Sequence, residues 1–184
     1  MTSFKLRRAA RLLADGGIVA CPTEAVYGLG CDPLQASAVQ RILEIKGRRP
    51  GKGLILIASD PAQLSPYLLF PDPQRMSRVQ ATWPGPHTWV FDANPSIPAW
   101  ITGGRNTVAA RVTAHPLAAA LCSAFGGALI STSANRSGGV PARSALQARL
   151  VFGNEVDLYL HGACGRLERP TPVRDARSGK LLRA

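Results

Sequence analysis

Acidic residues are scarce in this chain. Eleven Asp and Glu stand against 22 Lys and Arg over 184 residues, a formal net charge of +11. Such an excess points to anionic partners such as nucleotide or RNA. Eighteen of the 22 cations are arginine, so the scattered ones also fit a base-composition bias of the genome. No apolar run reaches the length of a bilayer-spanning helix, which argues against a helical membrane protein. The N-terminus MTSFKLRRAARLLADGG is basic but lacks the apolar stretch of a signal peptide, so it reads as an amphipathic first helix.

Paired cysteines are missing too. Cys21, Cys31, Cys122 and Cys164 form no CxxC, and His87, His115 and His161 show no ligand spacing. A zinc site or disulfide scaffold needs closer pairs. The expectation is therefore free thiols in a reducing cytosol, a cytoplasmic location and no protein-held metal. Two phosphate motifs are absent as well. Gly47–Gly53 is basic and glycine-rich but has neither the spacing of GxxxxGK[ST] nor a hydroxyl after the lysine, and Pro33 stands where GxGxxG starting at Gly28 needs its third glycine. No Ser-His-Asp set and no isolated carboxylate pair is legible. What remains is chemistry driven by positioning and charge neutralisation.

What is present is 46% hydrophobic residues, enough for one globular domain. Segments alternate in type. Helices are predicted over 3–14, 36–46, 116–125 and near 144–152, with helical pieces over 61–82 broken by Pro66, Pro71 and Pro73. Strands are predicted at 18–21, 54–58, 87–91, 107–112, from 128, and near 156–160, 171–175 and 180–183; the stretches 22–33 and 131–140 read as loops. The pattern is α/β: a single domain over 1–184 with a twisted mixed sheet flanked by helices.

Three segments carry candidate chemistry. Pro22-Thr23-Glu24-Ala25-Val26-Tyr27-Gly28-Leu29-Gly30 puts a hydroxyl, a carboxylate and a phenol within five residues after a strand, where α/β proteins place ligands; a plain glycine turn explains it equally well. Lys46 to Lys52 holds four cations in seven residues at a helix end. The helix dipole accounts for ~0.3–1 kcal/mol per charge, whereas a phosphate facing converging cations gains roughly 4 kcal/mol per close pair at an effective dielectric of 20. Ser131-Thr132-Ser133-Ala134-Asn135 has short polar side chains suited to carboxylate or phosphate oxygens, or to an ordinary turn. Arg111, a charge within the apolar strand 107–112, is expected to be paired or to face a site.

These residues resemble a known family. PTEAVYGLGCDP at 22–33, EIKGRRPGKGLILIA at 44–58, WPGPHTWVF at 83–91, VAARVTAHPLAAALC at 108–122, STSANRSGG at 131–139 and RPTPVRDARSGKLLR at 169–183 resemble the YrdC/TsaC family, in family order along nearly the whole chain. The resemblance implies a twisted α/β sheet with a basic concave cavity. It implies synthesis of L-threonylcarbamoyladenylate from L-threonine, bicarbonate and ATP, with Mg2+ arriving on the nucleotide. The product would feed a threonylcarbamoyl transferase complex that modifies tRNA beside the anticodon. On matching positions it implies Lys46, Arg48 and Arg111 as the catalytic cations, with Thr23, Tyr27, Thr88, Ser131, Ser133, Asn135, Thr171 and Arg174 binding threonine or nucleotide. The chain departs from the family pattern at Arg49, Gly53, His87 and Thr171-Pro172, and it ends at Ala184, where long members carry a further domain. A second reading is a non-catalytic module binding double-stranded RNA or tRNA through its basic face. A third, a carbamoyl-adenylate domain of hydrogenase maturation, normally sits within a much longer chain.

Overall fold

A computed structural model describes residues 3–48, 51, 53–168 and 171–183. Arg49, Pro50 and Lys52 of the basic loop lie outside the described residues, as do Arg169, Pro170 and Ala184.

The chain opens with α1 (Ser3–Ala14), β1 (Val19–Pro22), β2 (Tyr27–Gly30), α2 (Ala36–Lys46) and β3 (Ile55–Ala58). A 3-10 turn at Pro61–Leu64 leads to β4 (Leu68–Leu69), α3 (Pro73–Gln80), β5 (Thr88–Ala93), α4 (Ala99–Thr102) and β6 (Thr107–Val112). Then come α5 (Pro116–Phe125), β7 (Leu129–Ser133), α6 (Ala145–Phe152), β8 (Leu158–Tyr159), β9 (Val173–Asp175) and β10 (Leu181–Arg183). Among the described residues, ten strands form one mixed sheet, ordered β10-β9-β5-β6-β3-β7-β2-β1-β8, with β4 on the side of β5. The pairings of β1 with β8, β3 with β6, and β5 with β9 are parallel.

Side-chain alternation divides the core between the two faces of this sheet. Ala20, Leu56 and Ile130 point to one face, where α2 contributes Val39, Ile42 and Leu43 and α6 contributes Ala148 and Phe152. Their neighbours Val19, Cys21, Ile57 and Leu129 point to the other, packed by Ala9 and Leu13 of α1 and by Leu121 and Cys122 of α5. The expectation of an α/β mixed sheet flanked by helices holds.

Two loop expectations need correction. Residues 22–33 contain β2, which pairs with β1 and β7. Its YGLG composition hides it, because glycine is a poor strand former. The glycines answer a packing need: a Cβ on Gly28 would lie 2.9 Å from Ser131 Oγ, and one on Gly30 3.0 Å from Ile130 O. Likewise β7 runs through Ser133, so Ser131 and Ser133 sit on a strand and not in a loop. The predicted strand 54–58 begins at Ile55, which is only partly buried. Within 61–82 the prolines permit a 3-10 turn, a short strand and one helix. The α4 turn carries no sequence signal that distinguishes it from a loop.

Candidate active site

A cavity of about 180 Å3 opens where β2, β3, β6 and β7 lie side by side. Sheet register builds it. Ile55 faces Ser131 across β3 and β7, Ile57 faces Arg111 across β3 and β6, and Gly28 faces Ser133 across β2 and β7. Segments distant in sequence thereby deliver Thr23, Gly28, Arg111, Ser131 and Ser133 to one wall. Arg48, Thr171 and Arg183 add further polar lining, beside Tyr27 and Thr132.

Helix α2 ends at Gly47, which takes φ 59° and donates to the carbonyl of Glu44 at 2.9 Å, while Arg48 N reaches Leu43 O at 2.9 Å. This left-handed cap suits glycine and turns the chain so that Lys46 and Arg48 leave the helix in different directions. Lys46 is buried, and its Nζ donates to Ser133 O and, at 2.7 Å, to Asn135 O. Burial, and secondarily the charge of Arg48, lower its pKa to about 8. Arg48 lines the cavity and donates through Nη2 to Gly53 O at 2.9 Å. Burial, then the nearby Arg183, pull its guanidinium below the usual range.

Arg111 is 5% exposed. Its Nη1 donates to Thr171 Oγ1 at 2.9 Å and lies 3.4 Å from Thr88 Oγ1, while Nη2 is 3.4 Å from Glu24 Oε2. Burial lowers its pKa and Glu24 opposes that shift. Thr23 hydroxyl donates to Val26 O at 2.8 Å, closing the turn that carries it to the cavity. Arg183 completes the cationic lining from β10, with Nη2 3.3 Å from Thr171 O.

The structure thus brings together Arg48, Arg111, Thr23, Ser131, Ser133 and Thr171 of the sequence-predicted set. The remaining predicted residues take other places. Thr88 is fully buried behind Arg111. Lys46 holds the Ser133–Asn135 backbone and is not part of the wall. Asn135 accepts from Ser133 Oγ at 2.6 Å and donates to Arg136 O and Gly139 O, shaping the turn after β7. Tyr27 lies along the wall, but its phenol donates to Gly162 O at 2.7 Å and accepts from Gly162 N at 3.2 Å. That hydroxyl pins the 160–168 segment and has no hydrogen left for a ligand. Arg174 turns to Gly179 O at 3.1 Å, within its own hairpin, and is absent from the described cavity wall. Sequence reasoning missed Arg183, whose only signal is a cation on a strand closing the chain, and the pairing of Glu24 with Arg111.

Comparison with known proteins follows the same lines. The family model of Sua5, YciO and YrdC, described as "Telomere recombination", matches residues 11–184. The chain is 57% identical over 98% of its length to the Threonylcarbamoyl-AMP synthase of Halorhodospira halophila, covering 94% of that protein. It is 58% identical over 98% of its length to the protein of the same name from Alkalilimnicola ehrlichii, covering 96% of it. Among solved structures, P. abyssi Sua5 complexed with L-threonine superposes with a TM-score of 0.93 at 34% identity over 100% of this chain, which spans 54% of that longer one. E. coli YciO gives a TM-score of 0.87 at 27% identity over 99% of this chain and 89% of its own. The family model spans residues 11–184 and the relatives match along nearly the whole chain, so the chain belongs to the Sua5/YciO/YrdC family.

Proposed function

We propose that this protein is an L-threonylcarbamoyladenylate synthase that joins L-threonine, bicarbonate and ATP and releases pyrophosphate. The observation that carries the reading is the convergence of Arg48, Arg111 and Arg183 with the hydroxyls of Thr23, Ser131 and Thr171 on one small cavity. Guanidinium groups and short hydroxyls are donors for carboxylate and phosphate oxygens. The names of the close relatives, and the threonine in the Sua5 crystal, point to the same substrates. At about 180 Å3 the cavity falls below the roughly 300 Å3 at which drug-sized ligands are usually enclosed. It suits the amino acid and the reacting groups, with the rest of ATP extending through the mouth.

In this reading the threonine amine combines with bicarbonate, losing water, to give a carbamate. A carbamate oxygen then bonds to the α-phosphorus of ATP, the bond to the β-phosphate oxygen breaks, and pyrophosphate leaves with that electron pair. A carbamate decomposes readily in water, so enclosure matters alongside activation. Holding the partners in attack geometry supplies ~7–11 kcal/mol of the barrier. Arg48, Arg111 and Arg183 stabilise the charge on carbamate and phosphate oxygens. Lys46 acts beside them by fixing the Ser133–Asn135 backbone. The cavity's donors suit anions, and among the described residues no three His, Cys, Asp or Glu side chains converge as a cation cage. Mg2+ accordingly enters as the counter-ion of the ATP phosphates. The product passes to a threonylcarbamoyl transferase complex for tRNA modification in the cytoplasm; whether tRNA also touches this protein is a separate question, raised by its formal charge of +11. Among the described residues no helix is long and apolar enough to cross a membrane.

Purified protein incubated with ATP, bicarbonate and labelled L-threonine tests the reading. Pyrophosphate release and a threonylcarbamoyl adenylate, each dependent on both threonine and bicarbonate, are the expected result. Folded protein that makes neither, yet retains double-stranded RNA tightly, would favour the RNA-binding module.

A further inference from the structure

Glu24 lies behind the cavity wall, not on it, yet it is 7% exposed and carries a carboxylate. Its surroundings fix it at both ends. Oε1 accepts from the Thr113 hydroxyl at 2.6 Å and from the Ala114 amide at 3.1 Å, both at the end of β6. Its backbone is covered by the 160–168 segment: Leu167 N reaches Glu24 O at 3.3 Å and Gly165 N reaches Thr23 O at 2.9 Å. Gly165 packs so closely that a Cβ there would lie 2.4 Å from Glu24 O. Oε2 is left facing Arg111 Nη2 at 3.4 Å. Among the described residues, Glu24 Oε2 and Arg111 Nε are buried atoms without a hydrogen-bond partner.

A buried ion pair of this kind is a weak source of stability, because desolvation offsets the attraction. At 3.4 Å it is also longer than the 2.7–2.9 Å of a strong charge-assisted hydrogen bond. The pair therefore holds the guanidinium electrostatically and leaves it hydrogen-bonding capacity for an anion. The other arm of Arg111 is anchored by Thr171 and Thr88.

We propose that Glu24 is a positioning residue: its carboxylate, immobilised by Thr113 and Ala114, sets the direction of the Arg111 guanidinium at the cavity wall and keeps it from following a bound anion. The assignment rests on the adenylate-forming reading above. It differs from a purely structural role in what it predicts. Removing the charge while keeping the shape frees Arg111 and leaves its own charge uncompensated. Anion binding then holds or tightens while catalysis falls, since misplacement of a catalytic group by about 1 Å costs on the order of a hundredfold.

The test uses the full chain with Glu24→Gln, which retains an acceptor for Thr113 and Ala114. Expected is a kcat roughly tenfold to a hundredfold lower, with affinity for inorganic pyrophosphate, read by calorimetry, equal to or tighter than wild type. Glu24→Asp recovers part of kcat. In an Arg111→Lys background, adding Glu24→Gln lowers kcat no further, because coupled residues do not act independently. Unchanged kcat in Glu24→Gln, or losses that multiply in the double variant, would overturn the assignment. If Glu24→Gln does not fold, Thr113→Val removes the 2.6 Å hydrogen bond and keeps the charge; a kcat-specific loss is again expected, and an unchanged kcat overturns it. Wild-type protein without threonine-dependent pyrophosphate release sinks the underlying activity, whereas active wild type with an indifferent Glu24→Gln sinks only this role.

Discussion

Lys46 shows how position changes what a residue does. As a sequence letter it is one of a run of cations; in the structure its ammonium is buried between two backbone carbonyls, and its pKa falls to about 8. Because the folded value lies below the unfolded one, the unfolded chain holds the proton more readily between about pH 8 and the ordinary lysine range. Lys46 thus disfavours folding below about pH 8, and that cost is relieved as pH rises through this window. For function the sign is opposite. Loss of the proton above about pH 8 weakens the hold of Lys46 on the Ser133 and Asn135 carbonyls beside the cavity, so affinity for inorganic pyrophosphate, measured by calorimetry, should fall with a midpoint near there. Arg48 stays charged throughout. Arg48→Ala should fold normally and lose roughly a hundredfold to a thousandfold in pyrophosphate release, the cost of removing one oxyanion donor. Full activity would remove Arg48 from the mechanism. The cations and hydroxyls of the site are legible in the sequence because such residues are conspicuous in apolar segments. Arg183 is not, since only the β9–β10 hairpin carries it to Arg48 and Arg111.

At the scale of elements, the helices are the most readable parts. Ser3–Ala14, Ala36–Lys46 and Pro116–Phe125 fall where apolar spacing and end signals place them. Helical hydrogen bonds are local, so local sequence suffices. β2 is not readable that way, because its pairing depends on β1 and β7, and its glycines are required by contacts across the sheet. The 160–168 segment is similar: nothing local marks it as the cover of the Thr23–Glu24 turn. Gly165→Ala tests that cover. Its Cβ would meet Glu24 O, a backbone atom with little room to yield. The variant should lower Tm by several degrees and reduce adenylate-forming activity at least tenfold, a misplacement effect. Wild-type Tm and rate would mean the segment is free to shift.

The molecule as a whole depends on one sheet buried on both faces. Leu129 and Ile130 are sequence neighbours, but they enter opposite clusters. Leu129→Ala and Ile130→Ala should each cost ~2–5 kcal/mol in urea unfolding. A loss confined to one of them would show that the other face contributes little. The formal charge of +11 also acts at this scale. If tRNA touches the surface directly, its affinity should fall steeply and log-linearly with salt; binding indifferent to salt would remove phosphate contact from the account.

The sequence by itself determined the α/β alternation, the helix positions, the charge excess and the hydroxyl and cation motifs, because periodicity, capping and composition are written in neighbouring residues. Tertiary structure alone decided which of those motifs meet. Sheet register placed Arg111 opposite Ile57 and Ser131 opposite Ile55, turned Tyr27 and Asn135 to structural duty, left Arg174 in its hairpin, and brought Glu24 behind Arg111. The physical reason is that a sheet joins strands far apart in the chain, so the direction and neighbours of each side chain follow from pairings that no local pattern encodes.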